Sequence, residues 1–264
     1  LHNVAHSFPT RRSSDRVVAA LTAPQRPMAA RGRVTTWAWR PPTARRPWQW
    51  CRIYHPTPHV RTGTDHRSYG PLARLDHHTV QPAPAGDPHA ADPYRIPTPW
   101  ICPDGRNILY VGANLRVAFT EVYTRPGKTA EICPQARIAI LRPTAPIPLL
   151  DIKTEGAAML IDALPSLATG DYPRPRTQEW ARAIWEDQPV PAPQRPVRGI
   201  YYQSAHAGGA ALALMNTAGA VDLVRDRAGV DQDLTLHSIW RTVETAAVSV
   251  NITAYRVPAC SACT

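Results

Sequence analysis

Prolines punctuate this chain so densely that only short elements can form. There are 29 of them in 264 residues, and each one inside a helix removes a hydrogen bond and clashes with the preceding turn. The apolar runs between them stay well short of the ~18 residues that a membrane-spanning helix needs. Pro189, Pro191, Pro193 and Pro196 make residues 189–197 an extended linker rather than a helix. A fold built from this chain therefore alternates brief strands with a few modest helices.

Those elements can be placed from their patterns. Trp50–His55 has strand composition and stops at Pro56, and Ile108–Gly112 is a short apolar run ending in glycine. Asn114 caps a predicted helix through about Tyr123, with Leu115, Ala118, Phe119 and Val122 along one face. Ala136–Leu141 and Pro148–Ile152 read as strands. A helix is predicted near residues 155–163 and a second one from Thr177, carrying Trp180, Ala181, Ile184 and Trp185 on one side. Gly199–Ser204, Ala210–Met215 and Val248–Tyr255 return as strands, the last on the alternation of Val248, Val250 and Ile252. The order lacks the even βαβ repeat of a doubly wound sheet, and no internal repeat is visible. The expected fold is a single α+β domain with a mixed sheet and flanking helices.

The ends read differently. Residues 1–47 hold nine arginines, one acid and six prolines without apolar periodicity, so a disordered tail is expected there. His6–Asp15 resembles the translation of a common short-read sequencing adapter, so residues 1–15 are treated as an artefact; Met28 is one candidate start. The folded domain is expected over 48–258, with a short tail at 259–264. The net charge of +10 is concentrated in the first 47 residues, which carry +8 of it. With 28 arginines and two lysines, the imbalance reflects a GC-rich coding sequence, and direct nucleic-acid binding is not expected. Cys51, Cys102, Cys133, Cys260 and Cys263 are odd in number and irregular in spacing, which argues against a disulfide framework. Without a signal-peptide pattern, the expectation is a soluble cytoplasmic protein with no membrane contact.

The sequence contains no Gly-x-Gly-x-x-Gly after a strand, no Walker loop and no Gly-x-Ser-x-Gly elbow. His55, His59, His66, His77 and His78 fall close together, but no Cys or acid joins them at a ligand spacing. Cys260-x-x-Cys263 lacks a second pair. No metal is expected. A dispersed set remains: Arg52, Arg74, Tyr110, Glu121 and Ser204. Glu121 stands beside Phe119 and Val122 in an apolar helix, close to its buried stripe, as either an edge residue or a placed acid.

Four strings carry a resemblance: Arg52-Ile-Tyr-His-Pro56, Gly70-Pro-Leu-Ala-Arg-Leu-Asp-His-His78, Leu109-Tyr-Val-Gly-Ala113 followed by Ala118-Phe-Thr-Glu-Val-Tyr123, and Gly199-Ile-Tyr-Tyr-Gln-Ser204. In this order, over about residues 48–226, they resemble the RES domain family, which includes toxins of Xre–RES toxin–antitoxin pairs. The resemblance implies an ADP-ribosyltransferase-like fold and consumption of NAD by hydrolysis, by phosphorolysis or by modifying a protein. It implies NAD as substrate and an Xre-type antitoxin as partner. It makes Glu121, Arg52, Tyr110 and Ser204 the catalytic candidates, and Arg52, Arg74, Tyr110 and Ser204 the NAD-binding ones. Paired donors of arginine suit the pyrophosphate, and a carboxylate suits the positive sugar formed as nicotinamide departs. Where the family's toxins often show Gly-Gly-Arg-Trp-Asn, this chain has Leu72-Ala-Arg-Leu-Asp76. A protein ADP-ribosyltransferase on the same site and a non-catalytic interaction domain are the competing readings.

Overall fold

Nine strands form one sheet in the computed structural model, which describes residues 20–40, 49–68, 73–78, 103–123, 129–170, 172–224 and 231–260. The strands of this sheet are β1 (Arg33–Trp37), β2 (Cys51–Tyr54), β3 (Ile108–Gly112), β5 (Arg137–Pro143), β6 (Ile147–Asp151), β7 (Gly199–Gln203), β8 (Ala210–Met215), β9 (Val221–Leu223) and β10 (Asp231–Asp233). Their order is β1-β6-β7-β8-β3-β2-β5-β10, with β9 also on β5. Pairing is antiparallel except between β6 and β7. A separate parallel ribbon joins β4 (Thr129–Ile132) to β11 (Thr253–Arg256). The helices are α1 (Leu115–Tyr123), α2 (Arg174–Asp187) and α3 (His237–Val248). This is the α+β domain expected, and among the described residues no helix is long and apolar enough to cross a membrane.

Strand alternation divides the core. Leu109, Val111, Leu212, Leu214, Leu149 and Ala139 pack on one face of the sheet together with Trp37 and Tyr54. The intervening residues on the other face are covered in two patches. Ile108, Ala211, Ala213, Leu150 and Ile200 meet α2 through Trp180, Ala181 and Ile184. Cys51, Ile53, Ile138 and Ile140 meet α1 and α3 through Ala118, Phe119, Ile239 and Val243. The seam between the two patches leaves room for a cleft. At that seam Gly112 is indispensable: a Cβ there would lie 2.6 Å from the Ala118 nitrogen, so only glycine lets α1 start against β3. Asn114 starts α1 as its sequence predicts, accepting from the Val117 N–H at 3.0 Å.

The described residues of the expected N-terminal tail are in fact part of the domain. Leu21 and Met28 are buried in the α2 patch, Thr22 accepts from the Trp180 indole N–H at 2.9 Å, and Met28 N–H donates to Asp187. β1 adds an edge strand to β6 in the register Arg33↔Asp151. A few anchors at the correct spacing outweigh a composition that averages to disorder, so the boundary at residue 48 is corrected to residue 20 among the described residues. The adapter-like His6–Asp15 lies outside them, as does Cys263.

Three smaller differences have local causes. Residues 155–163 form only a 3₁₀ turn, Ala158–Ile161. Helix α2 begins at Arg174 rather than Thr177, because Pro175 sits in the first turn, where its missing N–H costs nothing. Val248–Tyr255 is not one strand. Ile239, Val243, Ala246 and Ala247 carry helical periodicity up to Val248, left-handed Asn251 turns the chain, and the Ile252 N–H closes on Ala247 before β11 begins.

Candidate active site

The seam opens into a cleft of about 400 Å³, bordered by Cys51, Ile53, Tyr110, Glu121, Arg74 and Tyr202 among others. Each element delivers its residue for a local reason. On β3 and β7 the residues Tyr110 and Tyr202 take the alternation positions that face α1 and α2. Glu121 comes from the second turn of α1, on the side that borders the seam. Arg74 comes from a segment folded against α2, whose Gln178 Nε2 donates to the Ala73 carbonyl at 3.1 Å.

Glu121 is exposed at the edge of the helix's buried stripe, yet it is not idle. The buried Ser204 hydroxyl donates to Glu121 Oε1 at 2.5 Å. Ser204 is itself locked at the end of β7: its N–H donates to the Gly209 carbonyl at 2.8 Å and its carbonyl accepts from Gly208 at 3.1 Å. Two residues 83 apart in sequence thus form one unit, with the serine behind the carboxylate rather than in the cleft.

Leu75-Asp76-His77-His78 is buried at every side chain. Asp76 accepts from Tyr110 Oη at 2.6 Å and from the Ala73 N–H at 2.8 Å, and it pairs with the Arg67 guanidinium. The Leu75 N–H donates to Tyr110 Oη at 3.2 Å. The tyrosine hydroxyl is therefore used inside the wall, and its ring borders the cleft. Burial, reinforced by the Asp76 charge, pushes the Tyr110 phenol well above its ordinary range; burial and the Glu121 charge do the same to Tyr202. Both rings are neutral at any working pH. Arg74 Nη1 donates to the Gly170 carbonyl, which aims the guanidinium along the cleft's edge. Leu75 fills the wall as a core residue.

Arg52 has a different immediate task from the expected one. It borders the cleft on β2, but its register partner Ala139 belongs to the opposite face of the sheet. Its Nη1 donates to the carbonyls of Gly63 at 3.0 Å and Asp65 at 2.5 Å, and the guanidinium lies over the Tyr54 ring. The side chain braces the 57–65 loop from the far face. Arg52→Ala is accordingly expected to cost about 2 kcal/mol of stability, read as a lower urea midpoint, from two charge-assisted bonds on a half-buried cation. An unchanged midpoint would show that these two bonds do not brace the loop.

Sequence reasoning passed over Asp76, Arg67 and Tyr202. Tyr202 was reachable, since it precedes Ser204 by two positions on one strand and so shares its face. Asp76 was visible only as a letter inside a motif. The histidine set does not gather at one point: His77 Nε2 meets Asn216 Oδ1 at 3.0 Å, His78 Nε2 the Arg67 carbonyl at 3.2 Å, and His66 Nε2 the Thr217 hydroxyl at 2.7 Å. Asn216 Oδ1 already accepts from the Asn107 N–H at 2.9 Å, so His77 is the Nε2–H tautomer.

Burial pulls His66 and His77 down to about 4. Both fold in the neutral form, and the unfolded chain binds more protons between pH 4 and about 6.5. Their contribution is complete above pH 6.5 and declines as pH falls to 4. The urea midpoint is expected to drop steadily over that window, and His66→Gln should flatten part of the slope.

The RES domain family model matches residues 71–237, and the chain belongs to the RES domain family. No curated protein matches it. Among solved structures, it is similar to a chain of the M. tuberculosis MbcT–MbcA toxin–antitoxin complex, at 15% identity, over 81% of this chain and 93% of that one, with a TM-score of 0.39.

Proposed function

We propose that this protein is an NAD-consuming enzyme of RES type that cleaves the bond between nicotinamide and ribose, and that it acts as the toxin of a toxin–antitoxin pair with an Xre-type antitoxin as partner. Membership of the RES family supports the class. The observation that carries the chemistry is the Ser204–Glu121 unit at the edge of a cleft that also bears Arg74, Tyr110 and Tyr202.

In this reading Arg74 binds the pyrophosphate through directed N–H donors. The Tyr110 and Tyr202 rings give the nicotinamide a flat apolar wall. As the C1′–N1 bond breaks, its electron pair leaves with the ring nitrogen, giving neutral nicotinamide and a positively charged ribosyl carbon. Glu121, oriented by the Ser204 hydroxyl, opposes that charge or holds the ribose hydroxyls. The acceptor then adds at C1′: water or phosphate loses its proton, or a protein side chain becomes ADP-ribosylated.

Free nicotinamide, measured with purified protein and NAD in the presence and absence of phosphate, tests the proposal. Release in both buffers supports hydrolysis, release that requires phosphate supports phosphorolysis, and transfer of labelled ADP-ribose from NAD to protein supports modification. No release under any of these conditions overturns the enzyme reading in favour of an interaction domain.

A further inference from the structure

Three side chains that take no part in the cleft converge where the small ribbon meets the main sheet. Cys133 follows β4 directly, His55 follows β2 directly, and Cys260 lies four residues beyond β11. The ribbon carries both cysteines to the same end, because β4 and β11 run parallel in the register Ile132↔Arg256 and Val257 N–H donates to Ile132. Cys260 Sγ lies 3.3 Å from Cys133 Sγ and 3.6 Å from His55 Nε2. The three ligand atoms all lie within 4.8 Å of one another. Both cysteines are buried and His55 is half-buried. None of the three borders the cleft.

These separations can be compared with two alternatives. A tetrahedral zinc with bonds of about 2.3 Å to sulfur and about 2.0 Å to nitrogen spaces two sulfurs by roughly 3.7 Å and a sulfur from a nitrogen by roughly 3.5 Å. A disulfide brings its sulfurs to about 2.05 Å. The observed 3.3 and 3.6 Å are within a few tenths of an ångström of ligands sharing one ion. Two thiolates and an imidazole also form a soft donor set that favours zinc over magnesium, calcium or manganese.

We propose that His55, Cys133 and Cys260 supply three ligands of a structural zinc site. On binding, the two thiol protons pass to solvent, two Zn–S bonds form, and neutral His55 donates its Nε2 lone pair. The two thiolates cancel the charge of the ion, so the site is suited to its buried position. Its task follows from the topology. A two-stranded ribbon of four-residue strands is marginal alone, and the ion ties it to the end of β2 in the main sheet. It thereby fixes β11 across a sequence separation of 127 residues.

The test uses the full chain purified without chelator. Elemental analysis should find about one zinc per chain, falling to background in Cys133→Ser and Cys260→Ser. Stripped protein titrated with cobalt should develop a thiolate-to-cobalt charge-transfer band and the intense visible bands of a tetrahedral ion. If the serine variants do not fold, the wild type still decides: saturating zinc should raise the urea midpoint of the stripped protein. Three results overturn the proposal. They are wild-type protein that takes up neither metal, a urea midpoint indifferent to zinc, and a Cys133–Cys260 disulfide in freshly purified protein.

Discussion

Glu121→Gln is expected to slow nicotinamide release from NAD by ~10²–10³-fold, the usual cost of losing one electrostatic group at a developing charge. The carboxamide keeps the shape of the side chain and can still accept from the Ser204 hydroxyl, which now donates to Glu121 Oε1. What it loses is the negative charge, and the positive ribosyl carbon exists mainly in the transition state. The loss should therefore fall on kcat, with KM nearly unchanged. Ser204→Ala gives the companion measurement. It removes the group that orients the carboxylate but leaves its charge, so its effect on kcat should be smaller, and Ser204→Thr should recover part of it. If Glu121→Gln matches the wild type in kcat, the glutamate only supports the end of β7.

The second large effect is on stability. Asp76 has no exposed surface and simultaneously holds Tyr110 Oη, the Ala73 N–H and the Arg67 guanidinium. Asp76→Ala removes the acceptor for all three at once. Truncating one partner of a buried charged pair typically costs ~3–5 kcal/mol, and the partial exposure of Arg67 places this case toward the lower end. The same change frees Tyr110 and the Arg74 segment, so kcat/KM for NAD should fall alongside the urea midpoint. Asp76→Asn keeps a carbonyl acceptor for one partner and should lie between. The measurement is urea unfolding, read as a shift of midpoint with unchanged slope.

The two effects illustrate what the sequence could and could not reveal. Helix α1 was legible because its signals are local: a capping Asn114, an apolar stripe and a glycine at Gly112. The strands Cys51–Tyr54, Ile108–Gly112 and Ala210–Met215 were legible as short apolar runs bounded by turn residues. Strand β1 was hidden among arginines and prolines, since nothing local distinguishes Leu21 and Met28 as anchors for α2. β10, Asp231–Asp233, has no apolar residue and exists because Arg137 and Tyr54 hold Asp231 at 3.0 and 2.8 Å. Helix α3 and the turn at Asn251 were masked by the alternating Val248, Val250 and Ile252, which mimic a strand.

For the cleft, resemblance put forward the candidate residues, and the fold shows where each one sits. Glu121, Arg74, Tyr110 and Arg52 border one cavity, Arg52 with its guanidinium turned to the 57–65 loop, and Ser204 stands one hydrogen bond behind it. Arg52 differs because a strand sends successive side chains to opposite faces. One residue of register decides whether an arginine points into the cleft or braces a loop, and register with Ala139 is a long-range property. The pairing of Cys260 with Cys133 and His55 depends in the same way on the parallel ribbon, which no spacing in the sequence encodes.

The central claim is that NAD lies along this seam with its nicotinamide ribose at Glu121. A crystal structure of the Glu121→Gln variant with NAD tests it most directly, because slow turnover preserves the intact dinucleotide. The account predicts the pyrophosphate at Arg74, the nicotinamide against Tyr110 and Tyr202, and the ribose C1′ beside residue 121. NAD bound elsewhere on the molecule, or bound here with its adenine end at residue 121, would contradict it.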